Sequence, residues 1–213
     1  VVPDFAEVYY YVRHPNRDVV KQLFDRVEKA AQGAALGTET RSDYEIIGGT
    51  HDLLLNNTLA AAMQLDLEKV GGVTYTPAEI DFAKKIQATI GYSCPPIEKA
   101  ATINPLVKLP TPAMGSTDVG DVSWTVPTVG MSAATWVPGT PPHSWQAVAA
   151  GGTTIGTKGM LVAAKSMALM GLDLLLDPAL VQKAKSEFDQ SRGPGFKYTP
   201  LLGDRQPALN YRD

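Results

Sequence analysis

The run "MLVAAKSMALMGLDLLL", Met160–Leu176, constrains the fold more than any other stretch. It is the most apolar segment of the chain. Lys165 and Asp173 interrupt it, which leaves it too short and too charged to span a bilayer readily. It therefore reads as a helix that must be buried in a layered core. With 213 residues, the chain has room for one large domain or two small ones, and a 44% hydrophobic content suits an ordinary globular core.

The rest of the chain predicts what surrounds that helix. "FAEVYYYVR" (Phe5–Arg13) is rich in β-branched and aromatic residues and reads as a strand. After the turn "HPNRD", Asn16 is placed to cap a helix. Its apolar face is Val19, Val20, Leu23, Phe24, Val27, Ala30 and Ala31, and Gly33 and Gly37 bracket its end. "ETRSDYEIIGG" predicts a second strand, giving β-α-β. "NNTLAAAMQLDLEKVGG" and "TPAEIDFAKKIQATIG" predict two helices, the second with Thr76 as cap and Pro77 at its first position. Tyr92–Gly115 is a proline-rich loop. "DVSWTVPTVGMSAATWVPG" reads as two strands about a turn, and a short helix, the apolar helix and a helix from Pro178 follow. The order predicts two α/β layers with a boundary near residues 50–57.

Composition narrows the function. A net charge of -3 and a pI near 5.6 give no basic surface for a nucleic-acid backbone. The lone Cys94 excludes an internal disulfide framework and fits a reducing compartment. In "GGTTIGTKGM" (Gly151–Met160), Thr157 stands where a phosphate loop needs lysine, so a helix-entry loop is the better reading. "GMSAA" lacks the second glycine of a nucleophile elbow around Ser132.

A metal site has more support. His143 lies in "PGTPPHSWQ", a proline-stiffened loop at the end of a predicted strand, and "GSTDVGDVS" adds Ser116, Thr117, Asp118 and Asp121. By itself a lone histidine is more often structural than a ligand. No HExxH, CxxC or close histidine pair accompanies it. Arg13 ends a predicted strand, where a guanidinium is able to grip a carboxylate or simply be solvated.

Taken together, "GSTDVGDVSWTVPT", "PGTPPHSWQ", "GTKGMLVAAKSMA", "VVPDFAEVYYYVRHP" and "LLNNTLA" resemble segments of the C-terminal part of the M20 metallopeptidase family, and they fall in the family's order along the chain. The resemblance covers nearly the whole chain and is nearest to the family's amidohydrolases. It implies an α/β fold: the C-terminal part of a zinc-peptidase-like catalytic domain (residues 56–213) and the β-α-β second half of an inserted ferredoxin-like dimerisation domain (residues 1–55).

The resemblance also implies chemistry. Such enzymes hydrolyse an N-acyl amino acid, such as p-aminobenzoyl-glutamate or a dipeptide-like amide, with two divalent metal ions, zinc or manganese. His143 corresponds to the last metal ligand. Arg13 corresponds to the arginine that holds the substrate carboxylate. Ser116, Thr117 and Asp118 correspond to a loop of substrate contacts, and Asn56 to a position near the interdomain hinge. The other ligands and the general base belong upstream in the family, so no catalytic base is expected here, and the isolated chain is expected to be inactive. A cytoplasmic homodimer or paired subunit follows, with no nucleic-acid or membrane partner. The rival expectation is a noncatalytic interaction protein that keeps the fold without the metal centre.

Overall fold

The computed structural model describes residues 2–107 and 115–210. The chain divides into two compact units. One gathers Val1–Leu54, Pro110–Val126 and Gly195–Asp213, and the other Leu55–Leu109 and Pro127–Pro194. In the proline-rich stretch predicted as a loop, residues 108–114 lie outside the described residues.

The second unit is a helical assembly of α2 (Asn57–Val70), α3 (Pro77–Gln87), α5 (Trp145–Gly151), α6 (Thr154–Leu176) and α7 (Pro178–Arg192), with a 3-10 turn at Ile97–Ala101. Sequence chemistry sets its boundaries. Asn56 caps α2 by accepting the Leu59 amide at 3.0 Å. Thr76 and Glu79 form a reciprocal capping box on α3, with Pro77 in its first turn. Asp177 caps α7 through the amides of Ala179 and Leu180.

Two apolar clusters hold this unit. Leu59 and Met63 of α2 meet Met170 of α6 and Ala184 of α7. Ala83 and Ile86 of α3 meet Val137, Ala150 of α5 and Ile155 of α6. Each fully buried Ile, Leu or Met side chain stabilises the fold by about 1.5–3 kcal/mol. Polar ties join the same helices. The Asn56 amide donates to the Ala184 carbonyl at 2.9 Å, and Glu187 of α7 accepts the Asn57 and Thr58 amides at 2.7 and 2.8 Å.

The apolar helix expected to be buried differs from that expectation. It starts earlier, at Thr154, and its 23 residues are long and apolar enough, by length and composition alone, to cross a membrane. Ile155, Ser166 and Met170 are buried against α2, α5 and α7. These neighbours cover one side only, and Met167 (57% exposed) and Leu175 (82% exposed) lie on the other.

The first unit holds α1 (Arg17–Thr38) and the short α4 (Val119–Ser123). Asn16 caps α1 as expected, and Gly33 and Gly37 lie inside the helix instead of ending it. No residue of α1 is buried, and Phe24 meets Tyr44 edge-on at 5.4 Å.

Of the α/β prediction, the described residues show the helices and none of the strands. The described residues contain no strand. The predicted strands at Phe5–Arg13 and near Tyr44 run as irregular chain, and so does the segment after Trp124, while the stretch before it turns into α4. A strand exists only as one partner of a hydrogen-bonded ladder. β-branched and aromatic residues create the preference, but no neighbouring segment among the described residues pairs with it. Phe5, Val8, Tyr9, Tyr10 and Tyr11 consequently stay exposed.

Candidate functional site

The loop that carries His143 is built from the carbonyls upward. Gln87 of α3 donates through Nε2 to the Pro138 carbonyl at 3.0 Å and the Pro95 carbonyl at 2.9 Å. The Tyr92 hydroxyl donates to the Gly139 carbonyl at 2.8 Å. Gly139 sits at φ +91°, and a β-carbon there would lie 2.8 Å from the Cys94 sulfur, so the turn needs glycine and a small neighbour. This gives Cys94 a packing role.

Beyond the turn, Ser144 donates to the Pro141 carbonyl at 2.7 Å and caps α5 by accepting the Ala147 amide at 3.2 Å. His143 is held between these fixed points in the left-handed region, at φ +57°. It is exposed. The result is an imidazole presented outward on a backbone pinned at both ends. Around it lies an open cavity of about 450 Å³ lined by Trp136, Trp145, Ser144, Ala147 and Val148.

Among the described residues, that lining contains no carboxylate. Among the described residues, no group of three or more His, Cys, Asp or Glu side chains is gathered as a metal-holding set. His143 is thus a single candidate ligand, and the residues beside it do not complete a metal site. A larger cavity of about 830 Å³ in the same unit, between α2, α6 and α7, is lined by none of the predicted site residues.

Asn56 lies in the same unit. It is buried, and both ends of its amide are engaged, one in capping α2 and the other on the Ala184 carbonyl of α7.

Arg13, Ser116, Thr117 and Asp118 belong to the first unit, and all four are exposed. Thr117 Oγ1 accepts the Val119 amide at 3.3 Å and leads the loop into α4. What sequence reasoning missed is the polar cluster beyond that loop. His51 is buried, and its Nδ1 lies 2.8 Å from Asp121 Oδ1. The same carboxylate accepts the His51 amide at 3.2 Å and the Tyr198 hydroxyl at 2.9 Å. Burial, and then this hydrogen bond, push the Tyr198 phenol upward.

Beside it, the Arg17 guanidinium lies 3.6 Å from the Trp124 ring centroid and 4.9 Å from that of Phe196, and the Trp124 indole donates to the Asp52 carbonyl at 2.7 Å. Seventy residues separate His51 from Asp121 and seventy-seven separate Asp121 from Tyr198. No local motif carries a signal over that span. The closed environment of the His51 ring makes this cluster a tether for α4 and the C-terminal segment.

No family model matches the chain, and no solved structure matches it. Curated proteins do. The chain is 36% identical over 235 aligned residues to a p-aminobenzoyl-glutamate hydrolase subunit of Escherichia coli (strain K12), covering 98% of this chain and 48% of that protein. It is 28% identical to Xaa-Arg dipeptidase of Mus musculus and 26% identical to that of Homo sapiens, covering 88% of this chain and 37% and 36% of those proteins. The chain therefore spans about half, or less, of the length of the curated relatives it matches. It is homologous over nearly its whole length to these hydrolases, which are of the M20 type.

Proposed function

We propose that this chain forms part of an amidohydrolase that cleaves the amide bond of an N-acyl amino acid, with p-aminobenzoyl-glutamate as the model substrate. The observation that carries the reading is the 36% identity, across 98% of the chain, with the p-aminobenzoyl-glutamate hydrolase subunit of Escherichia coli. The dipeptidases extend it to a second class of amide.

In this reading the fixed, outward His143 is the chain's contribution toward a divalent ion, zinc or manganese, which when bound would lower the pKa of a water molecule. Arg13 grips the substrate carboxylate as a bidentate donor. Ser116, Thr117 and Asp118 line the substrate's path. Asn56 serves by holding α2 to α7. The protein works as a homodimer or beside a second, different chain, a pairing suggested by the bacterial relative being one subunit of its hydrolase. On this account the 213-residue chain alone is inactive.

The test is a substrate panel with the protein made from its complete reading frame. The proposal expects release of p-aminobenzoate from p-aminobenzoyl-glutamate, and faster turnover of it than of an Xaa-Arg dipeptide. If the purified protein, supplied with zinc or manganese, hydrolyses no N-acyl amino acid or dipeptide, the reading is wrong and the interaction-protein alternative replaces it.

A further inference from the structure

The cavity beside His143 has a chemistry of its own. Two of the chain's three tryptophans, Trp136 and Trp145, line it together with Val148. All three are partly or largely exposed, at 39%, 59% and 77%. Apolar side chains clustered around one cavity form the kind of patch that marks a binding surface, unlike apolar residues exposed singly. Among the described residues of the lining, His143 is the only titratable side chain, and Ser144 adds a hydroxyl. Among its described residues the lining offers no carboxylate to pair with a guanidinium.

The position of Trp136 is fixed from behind. The Tyr75 hydroxyl donates to its carbonyl at 3.3 Å, and burial followed by the nearby Glu79 charge push that phenol up to about 12, so it stays a donor at all ordinary pH. Trp145 is the first residue of α5, directly after the Ser144 cap. Both tryptophans therefore stand on fixed backbone with their side chains partly exposed.

The geometry points to an aryl-binding slot: Trp136 and Trp145 receive the aromatic ring of an N-aroyl amino acid, with the amide carbonyl toward His143. A cavity of about 450 Å³ holds one benzene ring and its amide with room to spare. Offset or edge-on packing against indole rewards a flat ring over an alkyl chain. The inference rests on the proposed hydrolase reading and adds to it the residues that select the acyl group.

The experiment uses the complete-frame protein labelled with 5-fluorotryptophan, with resonances assigned by single Trp→Phe replacements. Titration with p-aminobenzoate should shift the Trp136 and Trp145 signals saturably and leave Trp124 in place. No shift of these two signals overturns the slot, as does a shift with arginine amide but none with p-aminobenzoate, which would make it a cation–π site.

Kinetics supply a second arm. Trp145→Ala should raise KM for p-aminobenzoyl-glutamate about tenfold and change that for acetyl-glutamate by less than about twofold, and Trp145→Phe should restore most of the loss. Equal losses on both substrates would show a merely structural tryptophan and overturn the assignment. Absence of hydrolysis by the unaltered protein overturns the reaction reading instead, and the fluorine signals still decide the slot.

Discussion

Lys158 of α6 donates to Glu79 of α3 at 2.6 Å, and the same carboxylate closes the capping box at the start of α3. Glu79 also accepts the Thr76 amide at 2.6 Å and the Thr154 hydroxyl at 2.5 Å. One buried acid therefore joins two helix N-termini. The Lys158 and Thr154 hydrogen bonds, with the Thr76 amide, hold its carboxyl at about 2, well below the ordinary 4.5.

A depressed folded-state pKa stabilises the protein above the unfolded value and loses that contribution as pH falls from about 4.5 toward about 2. Urea midpoints measured between pH 7 and pH 3 should therefore drop on acidification. Glu79→Gln should cost about 2 kcal/mol at pH 7 and lose less on acidification than the unaltered protein. An equal acid-induced drop in both would show that Glu79 does not carry this dependence.

Gly159 lies on the buried side of α6, and a β-carbon there would come within 2.5 Å of the Ala134 carbonyl. Backbone, unlike a long side chain, has little room to yield. Gly159→Ala should destabilise the helical unit by about 3 kcal/mol despite alanine's better helix propensity. Gly171→Ala, on the open side with nothing within 4 Å, should be neutral or slightly stabilising. Thermal unfolding of the pair checks the contrast.

Asn56 both caps α2 and reaches α7, so Asn56→Ala should cost about 2–3 kcal/mol: about 1 for the cap and the rest for a buried Ala184 carbonyl left without its donor. Asn56→Asp keeps the cap and loses the donor, and should fall between. If Asn56→Ala altered KM with no change in denaturation midpoint, the residue would be a substrate contact instead.

His143 holds a left-handed backbone that glycine adopts without a β-carbon penalty. His143→Gly should therefore be about 1 kcal/mol more stable than His143→Ala, measured by chemical denaturation. Equal stabilities would mean that the loop relaxes and the histidine is not pinned.

Much of the helical unit was legible in the sequence because its signals are local. Asn16, Thr76 with Pro77, and Asn56 announce helix starts within three residues of where they act. Strands carry no such local guarantee. The aromatic run at Phe5–Tyr11 has the composition of a strand, but a strand is completed by another segment, and among the described residues none pairs with it. The burial of α6 failed for a related reason. Its apolar content predicts a helix, while coverage depends on how many neighbours reach it, and α2, α5 and α7 reach one side. At the candidate site, the loop around His143 was legible from its prolines. Its left-handed backbone and its tryptophan-lined cavity were not, nor was the cluster that joins His51, Asp121 and Tyr198 across more than seventy residues.

The most direct test of the hydrolase account is turnover of p-aminobenzoyl-glutamate by the complete-frame protein and its His143→Ala variant, with the unfolding midpoint of each measured alongside. The account predicts release of p-aminobenzoate by the unaltered protein, and a loss of about a hundredfold or more in the variant at an unchanged midpoint. Turnover by His143→Ala at the unaltered rate would contradict it.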